Sequence, residues 1–363
     1  MIVDGAILDA DGSRPGYVRL RHGRIVEVGQ RGTASDHGRE RRLRGIVVPA
    51  PVNGHTHLAD SVSVREPPAV SLAELVRPPD GYKFTLLRRT SDGEKRRAMT
   101  RALRGMRRDG VAATIDFREE GLPGVRLLRG AARAAGVRAV VLGRPLRRPI
   151  DRAELDALLA ESDGVGLSSA REESAETRAA VARACRAKRK LYALHASEER
   201  RESPRDYLSP RPDLVVHLSC ASEGDLEQVR DDGVVVAVCP RSNALFGRRP
   251  DLATMERLGV RLVLGTDNGM LRPPTVWQEL EFAYLASRLA RRPVSASYLA
   301  RAAFVEPWRL LGTPSEARIE VGGSTHPLAL RLPPDDPPYQ LVSRGSGAAV
   351  IRTGSWVAGR DGR

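Results

Sequence analysis

Two histidines one residue apart close the apolar run Gly45-Ile-Val-Val-Pro-Ala-Pro-Val-Asn-Gly-His-Thr-His57. In an extended strand successive side chains alternate faces, so His55 and His57 point the same way. Both imidazoles then reach one point beyond the strand's C-terminal end, an arrangement that suits zinc or a similar divalent metal. A chance pair on a solvated turn would read identically, and the rest of the chain has to decide.

The chain holds seven histidines. Four of them, His55, His57, His195 and His217, fall at the ends of apolar runs, and another such run ends in Gly265-Thr-Asp267-Asn. Three histidines and an aspartate gathered at one place would bind a metal and leave positions open for water and substrate. Singly, each residue has a plainer reading. His195 or His217 alone is more often a satisfied buried histidine, and Asp267 before Asn-Gly reads as a turn. All five at strand ends by accident is a far weaker reading.

The elements that must position these groups repeat one theme. Short apolar, β-branched runs cover Gly45–His57, Val111–Glu119, Arg138–Pro145, Gly164–Ser169, Leu191–Glu199, Leu214–Ser222, Val234–Asn243 and Arg261–Asn268. Continuous rather than alternating apolar runs predict strands buried on both faces, as in parallel sheets. Helical spacing joins them, at Met99, Leu103 and Met106, at Leu155, Leu158 and Leu159, and at Leu226 and Val229. Gly110 stands where a C-cap belongs, and Ser71-Leu-Ala-Glu74 reads as a capping box. Eight strand–helix units over roughly 265 residues match a (β/α)8 TIM barrel of about 250. An open doubly wound sheet is the rival, but it would cluster active residues at one switch point.

The chain ends read differently. Residues 1–44 predict a β-meander with turns at Asp11-Gly12 and His22-Gly23, and residues 318–360 return to short strands at Arg318-Ile-Glu-Val, Leu328-Ala-Leu-Arg-Leu and Ala348-Ala-Val-Ile-Arg. The expected organisation is a small composite β-sandwich domain from both ends, 1–44 plus 318–363, beside a 45–317 barrel.

Composition bounds the function. Of 59 basic residues only Lys83, Lys95, Lys188 and Lys190 are lysines, and the net charge is +14. The arginines are interleaved with acids along helices, and aromatics reach only 4%, which leaves little for base stacking, so a nucleic-acid partner is disfavoured. No run spans a bilayer, and the first residues lack a signal-peptide pattern. Cys185, Cys220 and Cys239 are scattered and odd in number, which argues against a disulfide framework and for a reducing, cytoplasmic compartment; Cys220 and Cys239 read as packed thiols. The expected partner is a small-molecule substrate; a homo-oligomer stays open.

Val48-Pro-Ala-Pro-Val-Asn-Gly-His-Thr-His-Leu, Leu194-His-Ala-Ser-Glu198, His217 and Gly265-Thr-Asp267-Asn resemble, in order, the metal-site motifs of the amidohydrolase superfamily. The nearer match is the cytosine deaminase and chlorohydrolase-like branch. Cys239-Pro-Arg-Ser-Asn243 resembles its strand-seven segment, and Gly23-Arg-Ile-Val-Glu-Val-Gly29 its N-terminal β-domain. Short barrel loops, with Asp116-Phe-Arg-Glu and Pro78-Pro-Asp-Gly, are similar to compact, mostly archaeal members. The resemblance implies one zinc or iron ion on His55, His57, His195 and Asp267. It implies that Asp267 takes a proton from the bound water, that His217 polarises the substrate or orients that water, and that Glu198 shuttles a proton to a ring nitrogen and leaving group. Two-metal members carry a lysine or glutamate ending strand four; Gly164-Val-Gly-Leu-Ser-Ser169 has neither, so one metal is expected. Deamination of an aminated N-heterocycle (a base, nucleoside or pterin-like compound) leads, with cleavage of a cyclic amide or chlorinated triazine as the alternative.

Several positions keep two readings. Glu198 is either this acid or a surface partner for Arg200 or Arg201. Arg118 and Arg144 either grip a substrate anion or form structural ion pairs. Arg241, Ser242 and Asn243 either donate to substrate or shape a turn. Asp60 could support a ligand from behind. Pro78-Pro-Asp-Gly81 reads as a lid loop.

Overall fold

The computed structural model describes residues 1–35, 40–63, 65, 71–147, 149–348 and 350–352. The chain opens as the expected meander of β1 (Ile2–Asp9), β2 (Gly12–Arg21) and β3 (Arg24–Gly29), each antiparallel to the next. The β2–β3 turn needs two consecutive positive φ values, and His22 (47°) with Gly23 (76°) supplies them. β4 (Arg42–Pro49) then pairs parallel with β1.

One expectation is corrected here. The apolar run Gly45–His57 is not one strand but two, because β4 stops at Pro49 and β5 starts at Val52. Pro49 and Pro51 have no N–H to donate to a ladder, so pairing breaks across Pro49-Ala50-Pro51. Ala50 is fastened by its own backbone, donating to His326 O at 2.8 Å and accepting from Trp308 Nε1 at 2.9 Å.

β5 (Val52–His57) opens the barrel, followed by β6 (Ala113–Arg118), β7 (Arg138–Gly143), β8 (Gly164–Leu167), β9 (Leu191–Ala196), β10 (Leu214–His217), β11 (Val235–Val238), β12 (Leu262–Leu264) and β13 (Asp267–Asn268). Nearly every residue on them is buried, as strands covered on both faces must be. Neighbours from β6 to β12 pair in parallel. The eighth strand is split: β12 pairs with β11, and β13 pairs with β5, so this strand closes the sheet into a barrel. Between strands run helices at the expected spacings, and Met99, Leu103, Met106, Leu155, Leu158, Leu159, Leu226 and Val229 are all buried. The Ser71–Glu74 capping box forms.

The fold class expected from sequence therefore holds: a (β/α)8 barrel, with a small β-domain built from both chain ends. After the barrel, β14 (Pro327–Leu330) pairs antiparallel with β4, and β15 (Val350–Arg352) with β14, completing a six-stranded sheet. Two details of the tail differ from expectation. Arg318–Val321 makes no strand, and Pro337–Arg344 is a helix. Ile319 is instead buried in the core of the sheet with Val3, Ile7, Val18 and Val47, its N–H donated to Asp9 Oδ2 at 2.9 Å. Pro337 and Pro338 fit a helix's first turn, where no N–H is required. Residues 353–363, within the predicted composite domain, lie outside the described residues.

The chain divides into two compact units. One holds Asn53–Gly105 and Ala113–Pro274, hence the body of the barrel; the other holds Met1–Val52, Met106–Ala112 and the chain from Thr275. Among the described residues no helix is long and apolar enough to cross a membrane. Cys185 and Cys239 are buried and Cys220 half-buried, and none forms a disulfide.

Candidate metal and catalytic site

Strand ends bring the histidines together. The His55 ring centroid lies 4.9 Å from those of both His57 and His195, and His195 lies 5.4 Å from His217. Asp267 Oδ1 stands 3.3 Å from His55 Nε2 and 3.7 Å from His57 Nε2. Three sets, His55–His195–His217, His55–His57–Asp267 and Glu198–His217–Asp267, each offer donor atoms within 4.8 Å of one another. The donor chemistry fits a divalent metal. Both ring nitrogens of His55 are fully buried without an aligned hydrogen-bond partner. Burial pushes His55 below its ordinary value despite the Asp267 carboxylate, and drives His57 to about 3, aided by the Lys83 charge. Both imidazoles are therefore neutral, as metal ligands must be.

Three of the four histidines have a polar neighbour behind the ring. His195 Nδ1 lies 2.9 Å from Leu167 O, which leaves Nε2 for the centre. His57 Nδ1 lies 2.8 Å from Glu119 Oε1. Asn243 Nδ2 is 3.1 Å from His217 Nδ1; with the amide donating, the His217 proton sits on Nε2, 3.4 Å from Glu198 Oε1. Phe117 backs the group, its ring 4.6 Å from His55 and 4.8 Å from His195. Asn53 stitches β5 to the eighth strand, donating to Thr266 Oγ1 at 2.8 Å and accepting from Thr266 N at 3.1 Å.

Left-handed backbone occurs at or beside Glu198, His217 and Asp267: Ser197 at φ 49°, His217 at 78° with Leu218 at 49°, and Asp267 at 60°, where the eighth strand enters β13. Such conformations cost about 1–3 kcal/mol each in non-glycine residues and persist only where their surroundings hold them. At Ser197 the holding groups are visible. Ser197 N donates to Glu202 Oε1 at 3.2 Å, and Glu202 N donates back to Ser197 Oγ at 2.9 Å. This bend turns Glu198 onto the histidine side, away from Arg201, whose guanidinium is taken by Asp225 at 2.6 and 2.7 Å.

Burial moves the Glu198 carboxyl up to about 7, against the pull of His217. Burial also opposes ionisation of Asp267, but its contact with His55, with His217 and His57 close by, holds it well below the usual carboxylate range. Ser242 Oγ donates to Asp267 Oδ2 at 2.5 Å. A retained proton on one carboxyl and a firmly ionised partner nearby suit general acid and base work.

A cavity of about 390 Å³ opens on this group, with His57, His195, His217, Glu198 and Asp267 in its wall. Leu72, Val76, Pro78 and Leu271 give it an apolar side, so the Pro78–Gly81 segment begins at the cavity wall. The substrate candidates divide. Arg144 lines the cavity. Arg118 does not: it is 1% exposed, paired with Glu119 and 3.2 Å from Asp116 Oδ1. Arg241 donates to Pro273 O at 2.8 Å, while Ser242 and Asn243 engage Asp267 and His217. These three sit on a helix, Pro240–Leu245, rather than on a strand or turn, because Pro240 is pre-set for a first helical position.

Sequence reasoning gave neither Lys83 nor Glu119 a place in the site. Lys83 Nζ lies 2.7 Å from Glu119 Oε1 and 3.1 Å from Asp60 Oδ2, and the residue, 3% exposed, lines the cavity. Asp60 is thus tied to the site through Lys83; burial lifts its carboxyl to about 7, against the Lys83 charge. One signal was available: a lysine kept in an arginine-dominated chain marks a place where a compact ammonium fits and a guanidinium does not.

A model of the amidohydrolase family matches residues 46–323. The chain belongs to the amidohydrolase family. Membership makes it a metal-dependent hydrolase. A protein of the archaeon Methanothermobacter thermautotrophicus, provisionally named an aminohydrolase, is 31% identical over 326 residues, covering 84% of each chain. Among solved structures, a zinc-bound adenosine deaminase of Xanthomonas campestris superposes with a TM-score of 0.76 at 18% identity, covering 97% of this chain and 91% of its own. An atrazine chlorohydrolase of Arthrobacter aurescens, solved with zinc, gives 0.74 at 17% identity, covering 97% and 94%. At those identities the two structures share the family's fold with this chain.

Proposed function

We propose that this amidohydrolase is a mononuclear aminohydrolase that removes an amino group, as ammonia, from an N-heterocycle such as a base, a nucleoside or a pterin-like compound. The observation that carries the reading is Glu198, turned by Ser197 to 3.4 Å from His217 beside the histidine–aspartate group and retaining its proton to about pH 7. His55, His57, His195 and Asp267 hold the metal, zinc or iron. When bound, a divalent metal makes water acidic enough to serve as nucleophile at neutral pH.

Asp267, ionised and steadied by Ser242, accepts a proton from the attacking water at a carboxylate oxygen. His217, with its Nε2 proton outward, hydrogen-bonds the substrate or the water and fixes the line of attack. Glu198 gives its proton to the ring nitrogen, so that electrons displaced from the attacked carbon come to rest on nitrogen. The proton that Asp267 accepted passes by way of Glu198 to the amine, which leaves as ammonia while the carbonyl forms and the hydroxyl proton returns to Glu198. A second reading, hydrolysis of another C–N or a C–Cl bond by the same groups, is favoured by the likeness to the atrazine chlorohydrolase.

The test is metal per chain followed by ammonia release across a panel of aminated heterocycles, with Glu198→Gln beside the wild type. We expect one metal per chain, and ammonia from at least one compound in the wild type alone. Metal well below one equivalent in protein prepared with zinc or iron would overturn the site assignment. One metal and no ammonia, with chloride or amide cleavage instead, would move the protein to the second reading.

A further inference from the structure

We propose that Glu119 is a positioning residue for the metal site, held between Lys83 and Arg118 so that His57 keeps its proton on Nδ1 and turns Nε2 to the centre. The inference rests on the reading of His57 as a metal ligand.

The geometry makes Glu119 more than an ion-pair partner. Lys83 already has Asp60 at 3.1 Å, and Arg118 already has Asp116 at 3.2 Å. Glu119 is the third carboxylate, shared by both cations, and its Oε1 lies 2.8 Å from His57 Nδ1, within reach of that nitrogen's proton though off the line of the N–H bond. Its side chain is 2% exposed, so water cannot replace any of these contacts. A neutral imidazole carries one N–H. A carboxylate accepting it at Nδ1 fixes which nitrogen keeps a lone pair and which way the ring faces. A buried carboxylate on a flexible side chain would not hold that position unaided. Two cations reaching it from different elements, Arg118 from the end of β6 and Lys83 from the first turn of the helix Tyr82–Arg89, leave it one arrangement. Asp116 anchors the same corner, accepting from Leu58 N at 2.7 Å and Thr56 Oγ1 at 3.0 Å, on either side of His57.

The experiment uses the full-length chain loaded with zinc. Zinc affinity is measured by chelator competition for wild type and Glu119→Gln, and long-range ¹H–¹⁵N spectra of the histidines are recorded. Outer partners of this kind contribute about 10–100-fold in metal affinity, so Glu119→Gln is expected to weaken zinc binding by that factor. In the wild type the His57 proton is expected on Nδ1, with zinc on Nε2. Affinity unchanged within about twofold in Glu119→Gln, or zinc on Nδ1 of His57 in the wild type, would overturn the proposal. The wild-type spectrum needs no variant, so the proposal can be refuted even if Glu119→Gln does not fold. A wild type that binds no zinc refutes the metal site itself; tight zinc in both proteins refutes only the role of Glu119.

Discussion

At Glu198 the chemistry turns on a single proton. Its carboxyl is lifted by burial from an ordinary 4.5 to about 7. If Glu198 is the proton donor, wild-type turnover should fall as pH rises through about 7, and Glu198→Gln should lose about 10²–10⁴ in rate at every pH. Stability carries the same signature. Between about pH 4.5 and 7 the folded chain holds a proton that the unfolded chain has released, so this residue's contribution to stability falls as pH rises across that window. Urea unfolding of metal-free wild type and Glu198→Gln should therefore show the variant gaining on the wild type from pH 5 to pH 8, by a few kcal/mol at most. A gap that does not change with pH would place the Glu198 carboxyl near its ordinary value. The histidines, Asp267 and Glu198 were legible as residue types at the ends of apolar runs. Lys83 and Glu119 were not, because their meaning depends on distances across 36 residues of chain that no local pattern encodes.

Elements place these groups by bending where strands end. A strand's alternation puts His55 and His57 on one side, and that could be read from two letters and a spacing. The turn that brings Glu198 round could not, since nothing in Ala196-Ser197-Glu198 announces a left-handed residue; the pair with Glu202 imposes it. Close packing matters equally at β8. A Cβ on Gly166 would stand 2.4 Å from Phe117 Cδ1, and the Phe117 ring rests against His55 and His195. Gly166→Ala should thus cost about 1–3 kcal/mol by overpacking and weaken zinc binding through the displaced histidines. Denaturant unfolding and chelator competition measure the two effects, and loss of stability with unaltered zinc affinity would show that Phe117 does not support the ligands. The broken first strand teaches a related point. An apolar run with two prolines reads as one strand on hydropathy, yet the missing N–H groups at Pro49 and Pro51 divide it between two sheets.

For the whole molecule, a metal held by the four proposed ligands, which lie on three strands, would link stability to metal supply. Ligand that binds only the folded chain adds RT ln(1 + [L]/Kd), about 2.7 kcal/mol at a hundredfold excess over Kd. Chelation should lower the Tm, and zinc or iron should restore it, as followed by differential scanning calorimetry. A Tm indifferent to chelator would mean that the histidine group folds as well without its ion. By itself the sequence determined the barrel, through eight apolar runs with helical stretches between them, and the identities of the residues at the strand ends. Burial on both strand faces and the fixed period of side chains make those features local, hence readable. The tertiary structure alone decided which carboxylate faces which histidine. It joined the eighth strand to the first and set Asp267 beside His55, Glu119 behind His57, and Glu198 next to His217. Those pairings, and the shifts in proton affinity that burial and neighbouring charges impose on them, arise only when segments distant along the chain share one interior free of water.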